Sequence, residues 1–314
     1  MQQRVIIIAG PTASGKSALA IDLAREFSGV IINADSMQVY RELDVLSARP
    51  PASDLKQAPH RLYGVLAADD PCSVGRWLTM AVDEIKAAWA DEKVPLVVGG
   101  TGLYLKALME GLAPIPDVDP SFRAKATALH GQLGPAAFRD ALAALDPEAA
   151  ARIPAGDTQR LIRAYEVALA TGRPLSDWQK DHPAEAPLDA AFAVIVLSPD
   201  REILYQGVNQ RFAWMMDNGA LDEVRALDDL SLDPALPAMK AVGVPELRRY
   251  LAGQTDLETA AHDAKQATRQ FAKRQMTWLR NQLSADLPLF AQYSESLKPE
   301  IFSFIRQFML TPPS

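Results

Sequence analysis

The sequence predicts an α/β fold: a parallel sheet covered by helices and interrupted by a helical insertion. Three observations predict it. Four short apolar runs, VIIIA (5–9), VII (30–32), PLVVG (95–99) and AVIVL (193–197), lack polar alternation, as parallel strands buried on both faces do. Amphipathic helical stretches, for example 16–27 and 73–90, alternate with them, as crossover connections require. Between Leu112 and Ala190 the chain turns to Ala, Leu and Arg at helical spacing, bounded by the Pro-rich stretches APIPDVDP and DHPAEAPLDA. The expected organisation is a discontinuous core, 1–112 and 191–314, holding a helical insertion domain, 113–190. Beyond 193–197 the chain reads as helical to near its end.

Composition narrows the function classes. The 314 residues are 48% hydrophobic and 23% charged, enough to bury a sizeable core. The N-terminus shows no basic leader and no long apolar stretch, so neither export nor membrane insertion is expected. Cys72 is the single cysteine, which excludes an intrachain disulfide and fits a reducing, cytoplasmic setting. The formal net charge of −7 argues mildly against nucleic acid as a partner. Set against it, Lys265, Arg269, Lys273, Arg274 and Arg280 fall between Ala264 and Ala285 with no acid among them. Such a block is either a solvated helix face or a local basic field.

The first strand runs into Gly10, Pro11, Thr12, Ala13, Ser14, Gly15, Lys16 and Ser17, which fit the pattern G-x-x-x-x-G-K-[ST] and open a helix. Backbone amides and the helix N-terminus there would cradle phosphates, Lys16 would neutralise the outer one, and Ser17 would ligate Mg²⁺. The fold is therefore expected to be P-loop NTPase-like. One usual part is missing: PLVVGG ends in glycine where an acid would hold the metal. The strand that leads to an acid is VIINAD, and strand ends line the ligand crevice of such sheets. Asp35 has three readings: a displaced magnesium ligand, a general base, or a cap for the segment that follows. GGTGLY (99–104) is either a close backbone approach to a ligand or a plain strand-to-helix turn. Arg160 and Arg163, three apart, share a helix face.

Six stretches, taken in order, resemble the tRNA dimethylallyltransferase family, the bacterial tRNA isopentenyltransferases. They are GPTASGKS (10–17), NADSMQVYR (33–41), GGTGLY (99–104), GDTQRLIRAYEV (156–167), KAVG (240–243) and QATRQFAKRQMTW (266–278). One departure is Val244, where the family commonly has tyrosine. The resemblance implies transfer of a dimethylallyl group from dimethylallyl diphosphate to N6 of adenosine 37, just 3′ of the anticodon, with release of diphosphate. The loop would then hold a prenyl donor, and the bond broken would be C–O. The resemblance makes Asp35 the base, with Lys16, Thr12 and Arg211 stabilising the diphosphate, and gives Thr101 a share in holding the reacting geometry. It places the target adenosine, flipped into a channel, against Asp35, Ser36, Met37 and Gln38. It also implies tRNA contacts from Thr101, Arg123, Gln159, Arg160, Leu161, Ile162, Arg163, Lys240, Lys273, Arg274 and Arg280, with the insertion on the anticodon stem-loop. A monomer is expected. The rival readings are a small-molecule or nucleotide kinase and a nucleic-acid-binding switch NTPase. Against both stand the glycine after 95–99 and the full set of six stretches.

Overall fold

The computed structural model describes residues 3–181 and 184–310. His182 and Pro183, in the second Pro-rich stretch, lie outside them. The chain divides into a unit of Met1–Met109 with Pro187–Ser314, and a second of Glu110–Ala186. Up to the second unit the order is β1 (Gln3–Ala9), α1 (Lys16–Glu26), β2 (Gly29–Asn33), α2 (Ala52–Leu55), β3 (His60–Arg61), α3 (Val74–Ala90), β4 (Val94–Gly99) and α4 (Gly102–Glu110). The second unit holds α5 (Pro120–Ala143), α6 (Pro147–Arg152), α7 (Thr158–Thr171) and α8 (Leu175–Asp181). The chain returns through β5 (Ala190–Leu197), α9 (Arg201–Asp217), α10 (Ala220–Asp229), α11 (Val244–Leu251), α12 (Leu257–Gln282), β6 (Leu287–Leu289) and α13 (Lys298–Leu310).

The sheet is parallel throughout, in the order β3-β2-β4-β1-β5-β6. All four apolar runs are strands in it, so the α/β, P-loop-like expectation holds. The helical reading beyond 193–197 needs correction, because β6 pairs with β5 there through Ile195–Leu287 to Leu197–Leu289. Neither that three-residue strand nor the two-residue β3 is long enough to carry a periodicity. Pro288 is tolerated because β6 is an edge.

β1 shows why the runs are continuous. Val5, Ile7 and Ala9 enter one core with residues of α3, α4 and α9 to α12, while Ile6 and Ile8 enter the other with α1 and α13. The chain leaves β1 for β2 and β3 on one side, and from β4 it crosses to β5 on the other side of β1, so the winding reverses there. The crevice such a reversal opens lies at the C-terminal strand ends, where the phosphate loop begins. The helical unit has its own core, in which Phe138, Leu142, Leu161 and Val167 are fully buried. Among the described residues no helix is long and apolar enough to cross a membrane.

The strand ends are packed at backbone distance. A Cβ on Gly99 would stand 2.1 Å from the Ala34 carbonyl oxygen, with main chain on both sides and nothing flexible to yield. Gly99→Ala is therefore expected to destabilise the protein by about 1–3 kcal/mol, the range of an overpacked core. A lower urea midpoint with unchanged slope checks this.

Candidate active site

The phosphate loop owes its shape to two left-handed residues, Ala13 (φ 64°) and Gly15 (φ 90°). Alternation of that kind turns successive N–H groups to one side, making a concave anion site. Glycine is needed at position 15, where Tyr293 Cβ lies 2.8 Å from the place a side chain would begin. Tyr293 also donates its N–H to the Ser14 carbonyl (3.0 Å) and its Oη–H to Asp22 (2.6 Å), so the C-terminal segment braces the loop from behind.

Thr12 to Ser17 line a cavity of about 460 Å³, together with Asp35, Tyr63 and Arg211. Gly10 and Pro11 are not on its wall. Gly10 fits against Leu197, and the Pro11 carbonyl accepts a hydrogen bond from Lys16 Nζ at 2.6 Å. A second cavity, about 280 Å³, is lined by Met37, Leu46, Val208, Phe212, Met215 and Phe271 among others. The two share Thr12, Asp35, Ser47, Ala48 and Arg211. Arg211 donates to Thr12 Oγ1 at 3.2 Å, so the α9 arginine and the loop threonine meet at that border.

Asp35 is held by its neighbours. Buried Asn33 accepts the Asp35 N–H (2.8 Å) on Oδ1 and donates Nδ2 to the Asp35 carbonyl (3.0 Å) and the Leu62 carbonyl (3.1 Å). Asp35 Oδ1 accepts the N–H groups of Met37 (2.9 Å) and Gln38 (3.4 Å), so the capping reading describes the local turn. Oδ2 makes no hydrogen bond among the described residues.

Thr101 does not line either cavity. Its Oγ1 accepts the Ser36 N–H (3.0 Å) and donates to Ser36 Oγ (3.3 Å), bracing the 35–38 turn. Of the GGTG glycines, Gly99 lines the phosphate cavity, whereas Gly100 and Gly102 make room for protein. A Cβ on Gly100 would lie 2.2 Å from Gln275 Nε2, and one on Gly102 2.0 Å from the Trp278 ring.

Leu161 and Ile162, expected as RNA contacts, are core residues of the helical unit at 0% and 6% exposure. They lie on the buried stripe of α7, so their side chains are unavailable to a partner. Around them, Arg123 and Arg163 converge on buried Glu166 at 3.3 and 2.7 Å, Arg160 pairs with Asp157 at 3.3 Å, and Gln159 is exposed. In the core unit the basic block divides. Arg274 and Lys240 border the apolar cavity, whereas Lys273 and Arg280 face another one nearer β6. Ser36, Met37 and Gln38 are half-buried, with Ser36 and Met37 on the apolar cavity and Gln38 on the phosphate cavity. Val244 is fully buried at the start of α11.

Three positioning groups escaped the sequence reading. Gln275 accepts the Thr12 N–H (2.9 Å) and donates to the Gly100 carbonyl (3.0 Å). Glu223 accepts the N–H groups of Asp44, Val45 and Leu46 (2.8, 2.7 and 2.9 Å), fixing the segment that lines both cavities. Burial pushes its carboxyl up while those N–H groups pull it back. Asn33 is the third. Only the α9 stripe Leu204, Val208, Phe212, Met215 left a signal, its three- and four-residue spacing framing Arg211.

Lys16 is the main electrostatic feature. Burial, then the Arg211 charge, push its ammonium down from 10.5 to about 7, against the pull of Asp35. Burial also lowers Arg211. Two cations thus face one cavity, each destabilised until an anion arrives.

A strand–loop–helix anion cradle opening into an apolar cavity, with one carboxylate at their border, defines an enzyme of the P-loop fold that holds a phosphorylated group beside an apolar or aromatic one. Comparison with known proteins gives the family. The chain matches the family model for IPP transferase over residues 38–282 and that for isopentenyl transferase over residues 3–70. It is 53% identical to a tRNA dimethylallyltransferase of Paramagnetospirillum magneticum, over 98% of each chain, and 51% identical to one of Rhodospirillum rubrum, over 99% of this chain and 96% of that one. Among solved structures, the tRNA isopentenylpyrophosphate transferase of Bacillus halodurans superposes with a TM-score of 0.70 at 32% identity, over 98% of this chain and 96% of that one. A eukaryotic dimethylallyltransferase captured acting on tRNA gives 0.82 at 26% identity, over 99% and 80%. The chain belongs to the IPP transferase family, the tRNA dimethylallyltransferases, and is a prenyltransferase.

The Lys16 environment makes a pH prediction. Above its depressed value the free lysine is neutral, and an arriving diphosphate restores its charge, so binding takes up a proton. Calorimetry with an alkyl diphosphate near pH 8, in buffers of different ionisation enthalpy, is expected to show uptake of about one proton. Affinity should weaken by up to about tenfold per unit as pH rises from about 7.5 to 9. Lys16→Arg should flatten that dependence, and no uptake by the wild type would contradict the account.

Proposed function

We propose that the chain transfers a dimethylallyl group from dimethylallyl diphosphate to N6 of adenosine 37 in tRNA, giving N6-(dimethylallyl)adenosine and diphosphate. The observation that carries this is the border shared by the two cavities. Thr12, Asp35 and Arg211 line both cavities, which supports phosphates in the one and a five-carbon tail and an adenine ring in the other.

In this reading the C1–O bond of the donor breaks and its electron pair leaves with the diphosphate. Negative charge grows on that oxygen, inside the ring of loop amides, Lys16 and Arg211. Donors placed beforehand where charge develops are worth about 10²–10³ each in rate. The lone pair of N6 forms the new N–C bond, and the proton it sheds passes to Asp35 Oδ2, since Oδ1 is committed to the 35–38 turn. Thr101 and Asn33 act one step back by holding that turn.

Among the described residues no three His, Cys, Asp or Glu side chains cluster. Ser17 is exposed on the phosphate cavity, which fits Mg²⁺ held mainly by substrate phosphates and water. Bound there, the ion supplies charge neutralisation of the leaving diphosphate, and Ser17 is the side chain that would hold it.

For the RNA we assign Ser36, Met37, Gln38 and Lys240 near the adenosine and Lys273, Arg274 and Arg280 to phosphates. In the helical insertion, Arg123, Gln159, Arg160 and Arg163 are assigned to the anticodon stem-loop. The working state proposed here is a cytoplasmic monomer.

Asp35→Asn keeps the shape and the Oδ1 acceptor but removes the base. Prenyl transfer from labelled donor should fall about 10²–10⁴-fold, the usual worth of a general base, with tRNA affinity within a few-fold of wild type. Transfer within tenfold of wild type would show that another group takes the proton.

A further inference from the structure

Apart from the reaction cavities, the core unit carries a cavity of about 540 Å³ lined by the start of α9, the second half of α12 and the end of β6. We propose that it receives an unstacked nucleotide of the tRNA, its base against Phe290 and its phosphate among Arg201, Lys273 and Arg280. This rests on tRNA being the substrate.

Phe290 is 78% exposed, a whole aromatic face left in water at the edge of an otherwise well-packed sheet. The cavity continues inward over Val196, Met276, Leu279, Leu283 and Pro288, an apolar floor suited to a flat ring. Cations ring its mouth. Lys273, Thr277 and Arg280 fall four and three residues apart on α12, one helix face, while Ala272, Gln275 and Leu279 of the same helix are buried. Neither Lys273 nor Arg280 makes an ion pair among the described residues. Arg201 lies with its guanidinium 5.0 Å from the centre of the Tyr205 ring and donates Nε–H to Tyr205 Oη (3.0 Å). Both contacts hold the exposed guanidinium toward Tyr205. Asp200 is the one carboxylate on the lining.

Three cations around an aromatic platform, on a chain of net charge −7, match the pairing of phosphate contacts with base stacking by which unpaired nucleic acid is held. An apolar protein segment would cover Phe290 but leave three cations without partners. A free anion would use the cations and ignore the ring. A nucleotide uses both, and the volume suits a ligand of that size.

The experiment measures binding of an unmodified tRNA transcript by fluorescence anisotropy across a salt series, for wild type, Phe290→Ala and Arg201→Ala. Phe290→Ala should weaken binding about 5- to 150-fold, the range of one lost base stack, with the log Kd–log salt slope unchanged. Arg201→Ala should weaken binding and lower the slope by about 1, one phosphate contact. Alkyl diphosphate affinity should stay at the wild-type level in both. As a second readout independent of folding, p-benzoylphenylalanine at position 290 should crosslink to the tRNA. Wild-type binding with both variants within twofold of it, and no crosslink, overturns the cavity alone. A wild type that does not bind tRNA overturns the substrate assignment and this proposal with it.

Discussion

One buried amide holds the site together. Gln275, on the inner face of α12, takes the Thr12 N–H at the start of the phosphate loop and gives its own N–H to the Gly100 carbonyl beyond β4. The bond to the Gly100 carbonyl is buried and the one from Thr12 partly buried, and a buried polar group left unpaired costs about 1–3 kcal/mol. An amide side chain can satisfy a donor and an acceptor at once, without a charge. The geometry of its neighbours follows from admitting it. Gly100 has no side chain because the amide occupies that space, and Gly102 has none because Trp278, three residues along α12, occupies the next. The same helix carries its cations outward, so the element expected to meet RNA is bonded directly to the element expected to hold diphosphate.

A similar logic of borrowed partners places the carboxylate. Asp35 follows β2 in a turn that has no ladder of its own, and its backbone groups are taken up by Asn33. The Asn33 carbonyl in turn accepts the Nε1–H of Trp77 (2.9 Å), whose ring stacks on Tyr104 at 4.4 Å. Further along, Glu223 on α10 fixes Asp44 to Leu46 by three charge-assisted bonds. Asn33 and Trp77 are buried and Glu223 is half-buried, and these bonds hold the acid and the cavity wall while the phosphate loop carries its strain in Ala13 and its electrostatic tension in Lys16 and Arg211. A site whose cations repel one another until an anion arrives favours binding of a leaving group that gains negative charge as it departs.

How much of this was legible in the sequence follows from the range of each interaction. The phosphate loop and the four main strands are written in contiguous residues, and both were readable. Asp35 was legible as an acid after a strand, yet its role was not, because what distinguishes a base from a cap is which oxygen is already bonded. β3 and β6 were invisible because two or three residues form a strand only when a neighbour is there to pair with. GGTG reads either as room for a ligand or as a plain turn, and only the packed helix shows that Gly100 and Gly102 make room for Gln275 and Trp278. Leu161 and Ile162 came in with a motif treated as a continuous contact, although the helical period turns them to the core while Gln159 and Arg160 face out. Gln275 and Glu223 bond across 263 and at least 177 residues of chain, a separation no local pattern encodes.

The central claim is that a loop of phosphoryl-transfer type serves here to carry away a diphosphate, with no P–O bond broken. The most direct measurement uses dimethylallyl diphosphate labelled with ¹⁸O at the bridge between C1 and phosphorus. It is incubated with the protein, a divalent metal and unmodified tRNA, and diphosphate and digested RNA are then read by mass spectrometry. The account predicts that all of the ¹⁸O leaves in the diphosphate and that an unlabelled dimethylallyl group sits on N6 of adenosine. Label retained on the five-carbon fragment, or phosphate transferred to the RNA, would mean that P–O cleavage occurs and that the assigned chemistry is wrong.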